Sequence, residues 1–508
     1  MTGPRAQQSG REGVPPRRTP AEAREAAGGF GPGRPAGPGG PGGLSGGPGG
    51  PGGPAGLPGG PGGLDGLREL VAAGAVDTVE VAAVDMQGRL PGRRLPARHF
   101  LDEVAESGLE CQGYLLATDA GMSTPDGYAI ASWETGYGNI VLRPDPATLR
   151  YAPWRDRTAI VLCDLATRDG APVSVSPRQI LRAQLDRLDA LGLSALVGAE
   201  LEFLLYATSY RQAWANGYRA LEPVTHFGND LNLLETGFGG TFLQGLMPEL
   251  DRAGVPLEGL VGEANAGQYE LVLRYTDALR ACDNQAVGRF AVKQLAADHG
   301  LSATFMPKPG PGDGNSCHLH FSLRTHDGEP AFAGGGPHGF SPLMARFLAG
   351  QLTHLREFTL LFAPNINSYK RFAAASYAPT TVAWGFDNRT CALRVLGAGP
   401  SLRFEHRVPG GDVNAHLAVA AIIAAGLQGV EDGLELEEAL TGNAYTSGRR
   451  PLPPTLAEAI TSFRDSTAAR KAFGQDTVDH YARAGEVELE AFSAAVTDWE
   501  LTRGFERL

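Results

Sequence analysis

Through residues 1–63 the apolar and polar positions keep no helical or strand period; from Leu64 onward they do. Leu64–Ala73 has the spacing of a short helix ended by Gly74. Val76–Val84 is rich in β-branched residues, and a turn at Gln87–Gly88 into Leu90–Leu95 predicts a hairpin. Turn-rich sequence follows to about Tyr151; Thr158–Asp164 (TAIVLCD) predicts a strand and Arg168–Pro172 a turn. This first unit reads as a small mixed sheet. Ser176-Pro177 then predicts a helix start, with Ser able to cap and Pro suited to the first helical position. Leu181, Leu185 and Leu188 form its apolar stripe, and Gly192 can close it. A boundary near residue 173 divides the chain into a tail (1–63), a first domain (64–172) and one large α+β domain (173–508).

Four later segments alternate strictly, which in a strand separates two faces. Gly198–Tyr206 (GAELEFLLY) puts Glu200 and Glu202 opposite Leu201, Phe203 and Leu205. Cys317–Leu323 (CHLHFSL) puts His318, His320 and Ser322 opposite Leu319, Phe321 and Leu323. Arg403–Val408 (RFEHRV) groups Arg403, Glu405 and Arg407. Gln268–Tyr275 (QYELVLRY) groups Gln268, Glu270, Val272 and Arg274 against Tyr269, Leu271, Leu273 and Tyr275, with Glu263 just upstream. Neighbouring carboxylates in so apolar a setting repel each other and are costly to desolvate. Four such strands together predict the inner wall of a curved sheet that holds cations.

Composition changes the picture mainly at the N-terminus. The 508 residues suggest two or three domains, at about 150 residues each. Gly 70 is about twice the usual share. Of these, 23 fall in residues 1–63 with 13 of the 37 Pro. Gly recurs every third residue from Gly47 to Gly62, but a second register overlaps it from Gly37 to Gly52. A collagen helix needs one strict register, so a flexible, disordered tail is expected. Net charge is −12, and the tail carries six Arg and three Glu, leaving −15 for the remainder. That balance argues against a nucleic-acid-binding surface. No apolar run is long enough to span a membrane, and no signal peptide opens the chain. Five unclustered Cys fit a reduced, cytoplasmic protein.

The donor chemistry narrows the cation. Glu200, Glu202, Glu263, Glu270 and Glu405 are hard oxygen donors, and His318 is the one nitrogen. Structural zinc calls for Cys and His at short spacing, which is absent. Five carboxylates suit two or more Mg²⁺ or Mn²⁺ ions, the usual company of a nucleoside triphosphate. Arg371, Arg389, Arg394, Arg403 and Arg407 supply the opposite charge, suited to carboxylate and phosphate oxygens. Gly310–Gly314 lacks the Gly-Lys-Ser/Thr ending of a phosphate-binding loop.

Taken in order, VDMQGRLPGRRLP, TGYGNIVLRPDPATLRYAPW, GAELEFLLY, EANAGQYE, ATFMPKPGPGDGNSCHLHFSL, NINSYKRF, DNRTCALR and RFEHRVPGGD resemble the glutamine synthetase family over residues 65–508. The resemblance implies a β-grasp N-terminal domain, then a catalytic domain around a curved antiparallel sheet. It implies rings of subunits, commonly two stacked hexamers (a dodecamer), with active sites shared between neighbours. Position by position, one metal falls to Glu202, Glu263 and Glu270, and a second to Glu200, His318 and Glu405. ATP falls to Glu258, His320, Ser322, Arg389, Arg394 and Arg403, and glutamate to Gly314, Arg371 and Arg407. Arg371, Arg389 and Tyr377 take the catalytic positions. The implied reaction phosphorylates the γ-carboxylate of glutamate with ATP, after which an amine displaces phosphate.

Two departures bear on the acceptor. Family members that use ammonia carry a flap Glu in a Tyr-Glu-Ala-Pro context; here Ser376-Tyr377-Ala378-Pro379 has Tyr377 in its place. They also carry an Asp in a Phe-Asp-Gly-Ser-Ser stretch, whereas this region reads Cys111–Asp119, CQGYLLATD. Losing both anions disfavours a small cation and leaves room for a larger one. The pattern resembles the members that join glutamate to ethanolamine or polyamines. Gly314-Asn315-Ser316 also departs from the usual Gly-Ser-Gly. Two other readings stand beside this one. An ordinary glutamine synthetase would yield glutamine from ammonia, and a non-catalytic ring-forming regulator would show no magnesium-dependent ATP binding.

Overall fold

Alternating apolar positions build two sheets in the computed structural model, which describes residues 62–234 and 236–508. The expectation of disorder for residues 1–63 lies outside them up to residue 61, and Gly63 already opens the first helix, Gly63–Ala72. The first sheet contains β1 (Thr78–Ala82), β2 (Gly92–Pro96), β3 (Leu109–Gln112), β4 (Asn139–Pro144), β5 (Arg150–Tyr151) and β6 (Thr158–Ala166). Its order is β2-β1-β6-β4-β3, with β5 also on β6. The expected hairpin is β1–β2, antiparallel with Val81 opposite Arg93. β1 runs parallel to β6, which makes the sheet mixed.

The second sheet holds β7 (Leu193–Tyr206), β8 (Leu257–Gly262), β9 (Gln268–Asp277), β10 (Ser302–Thr304), β11 (Cys317–Thr325), β12 (Trp384–Phe386), β13 (Leu393–Leu396) and β14 (Arg403–His406). The order is β12-β13-β14-β11-β7-β9-β8, with β10 on β7. Every pairing is antiparallel except β12–β13. This sheet curls, with helices packed on its convex side, giving an α+β fold. Leu201, Phe203 and Leu205 are fully buried on that side, where Phe321 stacks on Phe347 and meets Phe404. The Ala415–Glu431 helix is apolar nearly all round and correspondingly buried, as its composition requires.

One detail corrects the expected alternation. β9 carries an extra residue opposite Val197–Ala199, a β-bulge that inverts its faces beyond Leu273. Tyr275 therefore turns to the concave side with Val272, while Arg274 is exposed and lines neither cavity described below.

The Pro177–Asp189 helix starts where expected, although the Ser176 side chain makes no capping hydrogen bond. Its Arg178, 1% exposed, ties the first sheet to a helix packed behind the second. The guanidinium donates to Asp164 of β6 at 2.6 Å, to Asp145 at 3.1 Å and to both oxygens of Asp283 at 3.0 and 2.8 Å. Asp283 lies on the Ala278–Asp298 helix and also meets His416 Nε2 at 2.9 Å. Burial alone would raise the Asp283 carboxyl, but Arg178 and His416 outweigh it and hold the group ionised. Arg178→Met strands that charge without its partner. The expected loss is about 3–5 kcal/mol of stability, to be read as a shifted urea midpoint.

Candidate active site

The cross-strand registers of the second sheet bring the acidic positions together. Glu202 lies opposite Glu270, Glu200 opposite His318, and Glu405 opposite both His320 and Arg394. Because side chains alternate along each strand, all of these project from the concave face. Two adjoining cavities open there and share Glu200.

The acidic cavity, about 470 Å³, is lined by Glu200, Glu202, Glu263, Glu270, His318 and Glu405. Ligand atoms of Glu200, His318 and Glu405 lie within 4.8 Å of one another, as do those of Glu202, Glu270 and His318. Glu263 shares the cavity but joins neither close group, and His318 reaches both. Three of the carboxylates are held by donors. Glu202 accepts from the Ser316 backbone N–H at 2.8 Å, the Ser316 hydroxyl, and Gln268 Nε2 at 3.2 Å. Glu405, fully buried, accepts from Arg394 at 3.0 Å and from Arg407. Glu200 receives His320 Nε2 at 2.9 Å, and Arg403 donates to His320 Nδ1 at 3.2 Å, which fixes the ring with its proton on Nε2.

The charge balance of the cavity is uneven. Burial would raise Glu200, but hydrogen bonds from His318 and His320 outweigh it and hold the carboxyl well below the usual range. Glu270 has no such donors: burial, then Glu200, Glu202 and Glu263, push it up to about 9. Burial, Glu202 and Asp230 push Glu263 up to about 7. His318 Nε2 is buried with no hydrogen-bond partner. A divalent cation answers all three conditions: it satisfies a bare nitrogen and replaces protons on mutually repelling oxygen donors. The donor set therefore fits hard cations such as Mg²⁺ or Mn²⁺.

On the facing wall, Gly314, Arg371, Arg389, Arg394, Arg407 and Tyr377 complete the same cavity. The Arg371 guanidinium donates to the carbonyls of Arg407 and Val408, both at 2.9 Å, and burial lowers its pKa to about 10. Gly314 must be glycine: a Cβ there would lie 2.3 Å from the Pro307 carbonyl oxygen and 2.8 Å from Arg371 Cγ. Tyr377 is exposed, in a left-handed backbone conformation (φ 56°), and its carbonyl accepts from Arg407 at 3.2 Å. Tyr445 donates its hydroxyl to the next carbonyl, Ala378, at 3.0 Å, so it braces this segment. The second cavity, about 500 Å³, is lined by Glu258, His320, Ser322 and Arg403 against the apolar Leu196, Val272, Tyr275 and Phe321.

All sixteen candidate positions thus line one cavity or the other. Cys111–Asp119 lines neither. Not anticipated were Ser316 and Gln268 as holders of Glu202, the apolar wall at Tyr275, and Asp230 with Leu231 at the acidic cavity. Gln268 lies on the face that the alternation predicts. For Ser316, the departure in Gly314-Asn315-Ser316 was the available signal.

Known proteins are similar to this chain in sequence and in fold. Residues 174–504 match the glutamine synthetase catalytic domain. The chain is 54% identical over 439 residues to a γ-glutamylethanolamide synthetase of Streptomyces coelicolor, covering 86% of this chain and 95% of that protein. It is 36% identical over 442 residues to a glutamate–isopropylamine ligase of a Pseudomonas species, covering 86% and 96%. The solved structure of apo GmaS without ligand superposes with a TM-score of 0.75 at 28% identity, over 87% of this chain and 99% of that one. The chain belongs to the glutamine synthetase family of ATP-dependent carbon–nitrogen ligases.

Proposed function

We propose that this enzyme joins the γ-carboxylate of glutamate to a small organic amine, ethanolamine being the leading candidate, rather than to ammonia. The observation that carries this reading is the pairing of a complete acidic ligand set with a flap residue, Tyr377, that offers no carboxylate to a small cation. Relatives named for ethanolamide and isopropylamide formation support it.

In this reading Glu202, Glu263 and Glu270 hold one Mg²⁺ or Mn²⁺, and Glu200, His318 and Glu405 a second. The cations supply charge neutralisation on the transferring phosphoryl group. Glu258, His320, Ser322, Arg389, Arg394 and Arg403 bind the nucleotide. Gly314, Arg371 and Arg407 hold glutamate, with Arg371 kept rigid by its two carbonyl acceptors. A γ-carboxylate oxygen attacks the terminal phosphorus and ADP leaves. The amine nitrogen then attacks the acyl carbon, the C–O bond breaks, and phosphate departs while the nitrogen sheds its protons to phosphate and solvent. Tyr377, on a braced segment, covers the acyl phosphate and keeps water from hydrolysing it. Self-association into stacked rings belongs to the same reading, supported by exposed Trp499, Leu501 and Phe505 near the C-terminus. The five free, buried cysteines support a cytoplasmic setting. A first domain at 64–172 and a catalytic domain from 173 complete it.

Three outcomes test this. Purified enzyme with ATP, Mg²⁺ and glutamate should release phosphate faster with ethanolamine or a polyamine than with ammonium alone; the reverse ranking overturns the acceptor assignment. Glu263→Gln and Glu270→Gln should each lower turnover by about 100-fold or more, with the oligomer unchanged by gel filtration. Third, a protonated carboxyl cannot ligate, and the cation-free carboxyls sit at about 7 and about 9. Raising the pH removes those protons, so Mg²⁺ affinity should increase from about pH 6 to 9. Calorimetry in buffers of different ionisation enthalpy should show proton release on binding.

A further inference from the structure

We infer that Asp230 recognises the ammonium group of the acceptor amine, with Leu231 providing the surface against which its carbon skeleton packs. The inference deepens the proposed function and rests on its organic-amine reading.

The argument begins with how residues 228–231 are held. Gly228 bridges to Ala266, the Asn229 N–H donates to the Glu263 carbonyl at 3.0 Å, and the Leu231 N–H donates to the Gly262 carbonyl at 3.1 Å. The segment is therefore stitched to the β8–β9 connection that carries Glu263. The approach is close enough to require glycine on both sides. A Cβ on Gly228 would lie 2.0 Å from the Ala264 carbonyl oxygen, and one on Gly262 would lie 2.6 Å from that of Asn229. Leu231 itself is in the left-handed region (φ 55°), a conformation that a branched residue keeps only where its surroundings impose it.

The result is a carboxylate and an apolar side chain at one side of the acidic cavity, beside Val261 and Glu263 and sharing the space with Tyr377. Asp230 belongs to neither close group of metal-ligating atoms. Its charge nonetheless reaches the reaction chamber, being one of the causes, after burial and Glu202, that raise Glu263. Leu231 is 80% exposed, so an alkyl stem laid over it would remove apolar surface from water. A primary alkylammonium needs both features. Its charged head requires an anion once desolvated, and its stem gains from an apolar neighbour. Tyr377 cannot supply that anion. The ligand class is a primary amine with a short alkyl or hydroxyalkyl stem.

The test is steady-state kinetics of the full-length holoenzyme and of Asp230→Asn, with ethanolamine, isopropylamine and ammonium as acceptors. A charge-assisted hydrogen bond lost to the amine should raise its KM by about 10- to 100-fold. KM for glutamate and the half-saturating Mg²⁺ concentration should stay within about twofold, against that 10-fold or larger effect. Asp230→Glu should recover part of the loss, and Leu231→Ser should weaken isopropylamine more than ammonium. An unchanged KM for every acceptor that wild type turns over overturns the inference. So does a higher Mg²⁺ requirement, which would make Asp230 a metal ligand, or a parallel rise in glutamate KM, which would make its role structural. If wild type uses ammonium alone, the organic-amine reading fails by itself, whatever Asp230→Asn does to the ammonium KM.

Discussion

Like charge gathered out of water is the constraint on which this structure depends. Four glutamates on the concave face of one sheet and Glu263 from the β8–β9 connection converge on one cavity, and no chain can bury them beside each other without compensation. Part of the compensation is built in: His320 for Glu200, Arg394 and Arg407 for Glu405, Ser316 and Gln268 for Glu202. The remainder is left open at Glu263 and Glu270, the two carboxyls whose protons are held most tightly. The division is functional. Oxygens already satisfied fix the geometry, and oxygens still repelling one another create the demand for a cation.

The scaffold makes the convergence possible by spending its apolar residues on the opposite face. β7 and β11 are central and long, and each alternates apolar residues onto the convex side, Leu201, Phe203 and Leu205 on β7 and Leu319, Phe321 and Leu323 on β11. The Phe321, Phe347 and Phe404 cluster sits directly behind the charged wall. Arg178 then anchors the first sheet to the helices behind the second, using buried ion pairing of the same kind that the cavity uses.

Much of this was legible in the sequence because period-two alternation is local. GAELEFLLY and CHLHFSL announce their faces without reference to the rest of the chain, and the β1–β2 hairpin is legible for the same reason. What escaped was non-local or depended on a break in the pattern. Arg178 reads as an ordinary helix-surface residue until β6 and the Ala278–Asp298 helix are packed against it. Asp230 lies in a segment with no period at all, held by backbone hydrogen bonds that no side chain signals. Alternation alone puts Tyr275 on the opposite face, because a bulge leaves no mark in an alternating string.

That bulge has a consequence of its own. Before it, β9 shows the acidic chamber a carboxylate; after it, the same strand shows the adjoining chamber a phenol ring instead of the guanidinium of Arg274. One inserted residue thus changes the phase of the strand and lets a single continuous ribbon present opposite chemistries to neighbouring compartments. In lineages built on this sheet, loss of Tyr275 alone would restore the alternation and turn Arg274 inward, exchanging an aromatic lining for a cationic one by deletion.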